Sequence, residues 1–366
     1  MRLGIDARAL HGDLTGIGNY TWNLLNQLPE LIPNIQLYAY LPTGYNCSIP
    51  PTLKSIIFKR SKALPLMSGH IWLKFHAGSL IRKDALDVFW SPRTLLPSGI
   101  TAFVPTLCTV HDLNSILFPK TMKTTNLFAH KVWFKKDILK STSISTISNG
   151  TSLRLKSIIG RKADAVISPG VDDKFRPNSK VEIDFVRNKY SLHTPYLLFV
   201  GTLEPRKNLE QLLLAHEQVN ASKPFPLQLV IVGKRGWKNQ KLIIKLESGL
   251  PNVRELGFVQ NEDLPALYSG AEALVIPSLY EGYGMPAAEA MSCGTRVIAT
   301  DIPELREAGG PKAVYCQPTV EGIAKGINQA LQSPRPINQF RHSWKLSAME
   351  LAILLKDTAE KTKLKF

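Results

Sequence analysis

An α/β fold of two domains is predicted for this chain, on three observations. Short apolar runs, each ending in a glycine-rich or polar loop that opens an amphipathic segment, recur along the chain, so strand–loop–helix is its repeating unit. A chain of 366 residues exceeds one domain at roughly 150 residues each. The pattern restarts at Tyr196-Leu-Leu-Phe-Val-Gly201 after a polar stretch, residues 173–195, that holds Pro177 and Pro195, which reads as a linker. A hydrophobic content of 44% lets each half bury a core.

In order, Arg2 to Asp6 reads as the first strand, followed by a loop through Gly12 to Gly18. Asn19 to Leu28 has apolar positions three to four apart and reads as a helix. A dinucleotide fingerprint would want a third glycine where Thr21 stands, so Gly16 and Gly18 either shape a turn or admit a ligand. Gln36–Leu41 and Lys54–Phe58 read as strands. Lys62 to Leu86 sets Leu64, Leu66, Met67, Ile71, Trp72 and Phe75 among lysines and arginines. It reads as a helix with a solvated face, or as a segment lying on a membrane surface. Asp87–Trp90 is a short buried strand. Phe103–Val110 is another, and His111-Asp112 stands at its carboxyl end, where ligands meet open α/β sheets. Lys120–Lys140 reads as a helix with an apolar stripe, Ser143–Ser148 as a strand, and Asn149 onward as a Ser- or Thr-capped helix. Ala165 to Asp172 closes the first domain.

The second half opens on the strand Tyr196–Gly201. The loop Thr202-Leu-Glu-Pro-Arg206-Lys207-Asn208 follows, then a helix from Leu209 to Val219. Two adjacent cations at a strand end and helix start can bind a diphosphate, although surface cations are common. Leu227–Gly233 is the next strand, and Gly257 to Val259 precede Asp263–Ser269. Ala273–Pro277 reads as a buried strand leading into Ser278-Leu-Tyr-Glu-Gly-Tyr-Gly-Met-Pro-Ala-Ala-Glu289. Pro286 suits a first helical turn, and Gly294 can end that helix. Glycines at 282 and 284 let backbone N–H groups approach an anion at the helix start. Glu281 and Glu289 frame this loop eight residues apart, each with a plain reading as a solvated acid or helix-dipole partner. Val297–Ala299 begins another strand, and Ser343–Lys363 is the last helix.

Glu281-Gly-Tyr-Gly-Met-Pro-Ala-Ala-Glu289 and the Ala-Met-Ser-Cys-Gly-Thr-Arg-Val-Ile-Ala after it closely resemble the E-x7-E signature of family 4 glycosyltransferases. "Asp-Ala-Arg…Gly-Ile-Gly-Asn-Tyr" near the start looks most like bacterial polysaccharide mannosyltransferases within that family. The resemblance implies the GT-B fold: two Rossmann-like domains facing across a cleft. It places residues 1–172 as an acceptor-side domain, 173–342 as a nucleotide-sugar domain, and 343–366 as a helix crossing back to the first. It implies a retaining hexosyltransferase that moves mannose from GDP-mannose to a glycan or lipid-linked saccharide acceptor in cell-surface polysaccharide synthesis. By the same resemblance Arg206 and Lys207 meet the donor diphosphate, and Glu281 the sugar hydroxyls. Glu289 meets the ribose, and His111 holds the sugar from the opposite domain. Gly16, Gly18, Gly201, Gly282, Tyr283 and Gly284 line the donor, and Val259 lies in the segment that packs on the nucleobase. No cofactor and no metal are expected, since the chain has no Asp-x-Asp motif. UDP-glucose, UDP-galactose or another donor is the same-fold alternative.

Charge is uneven. Residues 1–175 hold 21 Lys and Arg against 10 Asp and Glu, a net +11, and the rest hold 24 against 19, a net +5. The basic first half fits peripheral association with anionic membrane, or solubility alone. A non-catalytic basic protein binding membrane or nucleic acid is the alternative of another class. The five intact residues Glu281, Glu289, Arg206, Lys207 and His111 argue against it, and no nucleic-acid partner is expected. No run of about 18 apolar residues occurs. Asp6 and Arg8 interrupt any signal-peptide pattern, and the four cysteines form no C-x-x-C pair. The expected location is the cytoplasm, at the inner face of its membrane.

Overall fold

The computed structural model describes the chain except residues 13, 15, 63–67, 122–123, 223, 237–238, 338–341 and 364–366, and the side chains of 124–126, 362 and 363. Leu64, Leu66 and Met67, named above, lie outside the described residues. The chain divides into two compact units, one of Met1–Gly170 with His342–Phe366 and one of Val171–Arg341.

The first unit holds strands β1 (Arg2–Asp6), β2 (Gln36–Pro42), β3 (Ile56–Ser61), β4 (Val88–Ser91), β5 (Thr106–Val110), β6 (Ser143–Thr146) and β7 (Ala165–Val166). They pair in parallel in the order β3-β2-β1-β4-β5-β6-β7. Leu3 and Ile5 are fully buried, as are all four residues of β4 and all five of β5. Parallel strands covered on both faces read as continuous apolar runs, which is why they were visible in the sequence. The helix Trp344–Lys363 belongs to this unit and packs against the helix Gly16–Leu31. Ser347 Oγ donates to the Ser168 carbonyl at 2.6 Å.

The second unit holds β8 (Tyr196–Val200), β9 (Gln228–Val232), β10 (Val253–Gly257), β11 (Ala273–Ile276), β12 (Arg296–Thr300) and β13 (Val314–Cys316). Their order is β10-β9-β8-β11-β12-β13, again parallel. Leu197, Phe199, Leu229, Ile231 and Val275 form a core with Leu212 of the helix Leu209–Ala221 and Ile323 of the helix Val320–Gln332. In both sheets the order reverses beside the first strand of the unit, between β1 and β4 and between β8 and β11. Such a reversal splays the following loops apart and opens a crevice at the strands' carboxyl ends.

Several local expectations are corrected. The first helix starts at Gly16, so Gly16 and Gly18 form its first turn rather than a loop. The connection after β1 is a 3-10 turn, Ala7–Leu10. A Cβ on Gly18 would lie 2.8 Å from the Ala9 carbonyl oxygen, so glycine there lets helix and turn approach. β3 begins two residues later than Lys54, and β5 begins at Thr106 because Ile100–Ala102 form a 3-10 turn. The basic segment after β3 is helical over Gly69–Trp72 and Gly78–Ile81, with π-helical turns over Leu73–Ala77 between. Lys74 does not sit on a solvated face: it is 3% exposed and ion-paired with Asp137. The stretch read as a linker carries the helix Lys180–Lys189, with a Ser179–Glu182 capping box.

Candidate functional site

The loops after β8 and β11 meet at the reversal point of the second sheet. After β8, Pro205–Lys207 form a 3-10 turn. Asn208 takes the left-handed conformation, φ 57°, and its Nδ2 donates to the carbonyls of Pro277 (3.1 Å) and Pro318 (3.0 Å). Leu279 N–H donates to the Arg206 carbonyl at 2.9 Å, which ties the two loops together.

Glu281 stands at the centre, 7% exposed. One carboxylate oxygen accepts from Lys207 Nζ at 2.6 Å and from Ser278 Oγ at 2.7 Å; the other accepts from Arg206 Nη1 at 3.0 Å. Arg206 also pairs with buried Glu204 and donates to the Tyr280 carbonyl. Burial by itself would raise the pKa of Glu281, but the charges of Lys207 and Arg206 and the hydrogen bonds to it outweigh that and hold it at about 2. Two cations and two carboxylates thus form a nearly neutral buried cluster.

Beyond it, Gly284 caps the helix Met285–Ser292 with φ 112°, and a Cβ there would fall 2.6 Å from Leu305 Cδ2. Glycine is required here on both counts, and it leaves the helix start open to an anion. Tyr283 is 7% exposed, and burial pushes its hydroxyl up to about 12. Glu289, one helical turn in, stands apart from the cluster: its Oε2 accepts from the hydroxyl of buried Tyr268 at 2.8 Å. Burial raises its pKa to about 7 against the opposing Tyr268 hydrogen bond and the charge of Lys174. Gly201 ends β8 beside the Lys207 stem, where a Cβ would lie 3.6 Å from Cε. Val259, just past β10, is buried at 3% exposure.

His111, Gly16 and Gly18 belong to the first unit. His111 follows β5, and its Nε2 lies 2.8 Å from the Pro92 carbonyl oxygen. A carbonyl only accepts, so Nε2 carries the proton and Nδ1 keeps a free lone pair. Burial lowers its pKa to about 4, leaving it neutral at pH 7. Asp112 Oδ1 accepts from Asn114 N–H at 2.9 Å and so holds the loop. Among the described residues nothing lies within 4 Å of a Cβ on Gly16.

Sequence reasoning missed Ser278, Glu204, Asn208 and Tyr268. The first three sit inside motifs already singled out, and Asn is among the few non-glycine residues that tolerate the left-handed conformation. Nothing near Glu289 in sequence points to Tyr268, which is 21 residues away. Among the described residues no three His, Cys, Asp or Glu side chains gather as a metal-binding group, and no helix is long and apolar enough to cross a membrane.

Residues 181–349 match the family model for glycosyl transferases group 1. The chain is 28% identical over 337 residues to O-antigen chain mannosyltransferase B of Escherichia coli, covering 87% of each. It is 26% identical over 346 residues to O-antigen chain mannosyltransferase RfbU of Salmonella typhimurium, covering 90% of each. Among solved structures, sucrose-phosphate synthase from Thermosynechococcus elongatus superposes with a TM-score of 0.67 at 18% identity, over 98% of this chain and 94% of that one. Anabaena HepE in complex with UDP-glucose gives 0.63 at 16% identity, over 100% and 99%. These structures establish the shared fold. The match to glycosyl transferases group 1 and the O-antigen mannosyltransferase relatives, with the paired parallel sheets and the motifs in order along the chain, make this protein a hexosyltransferase of the GT-B fold, similar to bacterial polysaccharide mannosyltransferases.

Proposed function

We propose that this is a retaining mannosyltransferase that takes GDP-mannose as donor and a glycan or lipid-linked saccharide as acceptor. The observation that carries the reading is the buried Glu281–Arg206–Lys207 cluster at the reversal point of the second sheet, beside the Gly284-capped helix. The relatives in O-antigen synthesis supply the sugar. The chemical problem is to break a sugar–phosphate bond through an oxocarbenium-like transition state while negative charge gathers on the departing diphosphate. A diphosphate entering here competes with Glu281 for Arg206 and Lys207. Its negative charge replaces the carboxylate, and Glu281 turns its oxygens to the sugar hydroxyls.

The acceptor hydroxyl attacks the anomeric carbon on the face the phosphate leaves. The carbon–oxygen bond to phosphate breaks, and the departing phosphate oxygen takes the acceptor's proton. The products are the glycoside and the nucleoside diphosphate. The configuration is retained with no separate base, and the cations do the work a metal does elsewhere. Glu289 is assigned to the ribose hydroxyls, Gly16, Gly18, Gly201, Gly282, Tyr283, Gly284 and Val259 to the donor's surroundings, and His111 to the transferred sugar through its unprotonated Nδ1.

A location at the inner face of the cytoplasmic membrane fits the surface of the helix Thr124–Lys140. Phe128, Val132 and Leu139 are exposed there, between Lys131, Lys135, Lys136 and Lys140. The test of the donor is thermal stability with GDP, UDP, ADP and dTDP and their common sugars, followed by turnover. Selective binding raises the melting temperature by mass action. A rise with GDP and GDP-mannose alone supports the assignment. A rise confined to uridine compounds discards the donor and keeps the mechanism. No rise with any nucleotide in folded protein refutes the transferase reading.

A further inference from the structure

The first unit has a second concave site, at the end of its sheet away from His111. A cavity of about 670 Å3 opens beside the amino ends of β5 and β6. The five residues of β5 separate it from His111 by about 16 Å. We propose that this cavity, lined by Phe103, Leu139, Lys140, Thr142, Arg161 and Lys361, binds a phosphate group.

Charge is the first reason. Lys140, Arg161 and Lys361 converge there, and among the described residues the one carboxylate paired with them is Asp164, which takes Arg161 at 3.1 Å and Lys361 at 3.0 Å. Two positive charges are left over, which matches a phosphate monoester of about −2 at neutral pH. Arg161 is the second reason. Its Nη2 donates to Asp164 and weakly to the Thr142 carbonyl at 3.4 Å, but its Nε–H is buried with no hydrogen-bond partner among the described residues. The accessible part of the fork is Nη1, which makes no hydrogen bond among the described residues, so a phosphate oxygen can accept from it beside Nη2. The ordinary role of a lysine in the last turn of a helix explains Lys140 at the end of Thr124–Lys140; it does not explain the orphaned donor on Arg161. Arg82, stacked on the Phe103 ring at 4.8 Å from its centroid, adds a further cation behind the cavity wall.

The surroundings say what the phosphate is attached to. Phe128, Val132 and Leu139 lie four and seven residues apart on one exposed face of the same helix, and Leu139 is also part of the cavity lining. An apolar stripe that ends in a cationic cavity matches a phosphate carried on a lipid, and the same cavity is open to a free phosphate. The site owes nothing to the sugar-transfer reading, and its test uses no sugar donor.

The test compares the full-length protein with Lys140→Gln and Arg161→Gln. Lys140 makes no ion pair among the described residues, so its substitution leaves the fold in place, and an unchanged melting temperature verifies that. Calorimetry with inorganic phosphate and flotation with phosphatidylcholine vesicles containing phosphatidic acid are run in parallel, with oleate as a vesicle charge control that adds a carboxylate. Each substitution should weaken binding about fivefold, the worth of one cation near an anionic surface. Variant-sensitive binding of inorganic phosphate supports the site and assigns it to a free ligand. Variant-sensitive binding confined to phosphatidic acid vesicles supports it and assigns a lipid. Equal binding to oleate vesicles, binding that survives both substitutions, or no binding in either arm overturns the proposal.

Discussion

Replacing Glu281 by Gln separates what the buried cluster does for the fold from what it does for the reaction. The side chains of Glu281, Arg206 and Lys207 are 10%, 12% and 15% exposed. Removing the shared carboxylate leaves Arg206 with Glu204 but leaves Lys207 with no counter-charge among the described residues. Breaking such a buried pair from one side costs about 3–5 kcal/mol. The depressed acidity gives a similar figure: from 4.5 to about 2 is a shift worth about 3 kcal/mol. Because the folded value lies below the ordinary one, this stability is present above pH 4.5 and is lost as pH falls toward 2. At about 2–4 °C per kcal/mol for a unit of this size, Glu281→Gln should lower its melting temperature by roughly 6–20 °C. Donor turnover should drop about a hundredfold. Adding Lys207→Met removes the orphaned cation and should recover part of the melting temperature while turnover stays low. The assays are calorimetric melting and the rate of nucleoside diphosphate release. A melting temperature within about 2 °C of the parent, or full turnover in the double variant, refutes the reasoning.

Three further outcomes are expected. Gly284→Ala places a Cβ at φ 112° and 2.6 Å from Leu305, so it should lower stability by about 1–3 kcal/mol and raise KM for the donor, both read from one preparation. Glu289 titrates at about 7 in the folded state, above its ordinary 4.5, so its contribution favours folding below pH 4.5 and is lost as pH rises through 7; Glu289→Gln should flatten that part of the urea-midpoint profile, and an unchanged slope counts against the assignment. His111 is neutral well above its value of about 4, so the rate should show no break from this residue between about pH 5 and 8, and His111→Ala should lower the whole profile without changing its shape.

The site was largely legible because its parts are local. Glycine, proline and the paired acids lie within one strand–loop–helix unit, and Arg206-Lys207 within another, so spacing along the chain places them. What stayed hidden depends on partners distant in sequence. Lys74 looked like one more surface cation until Asp137, 63 residues on, drew it inside, with Leu96 N–H also donating to that carboxylate at 2.9 Å. The π-helical turns at Leu73–Ala77 accompany that burial and have no signature in composition. Glu281 read as a solvated acid or a sugar contact; its present partners are the two cations brought from 74 and 75 residues away by the β8–β11 pairing. The apolar residues of Thr124–Lys140 read as one stripe because periodicity cannot tell an inward face from an outward one. Phe134 and Ile138 are buried, while Phe128 and Val132 are not.

The discontinuity of the first unit sets an order of events during synthesis. Its sheet is complete by Val166, but the helix that covers Gly16–Leu31 is translated only after the whole second unit. At 5–20 residues per second that gap lasts roughly 10–40 s. Throughout it the places later taken by Ala348, Leu351 and Leu355, all within 1% of full burial, stand empty, and Tyr20 lacks the Trp344 ring that packs 6.0 Å from it. The nascent first unit therefore waits on the ribosome with an uncovered apolar seam. The second unit, contiguous in sequence, is free to mature before the first.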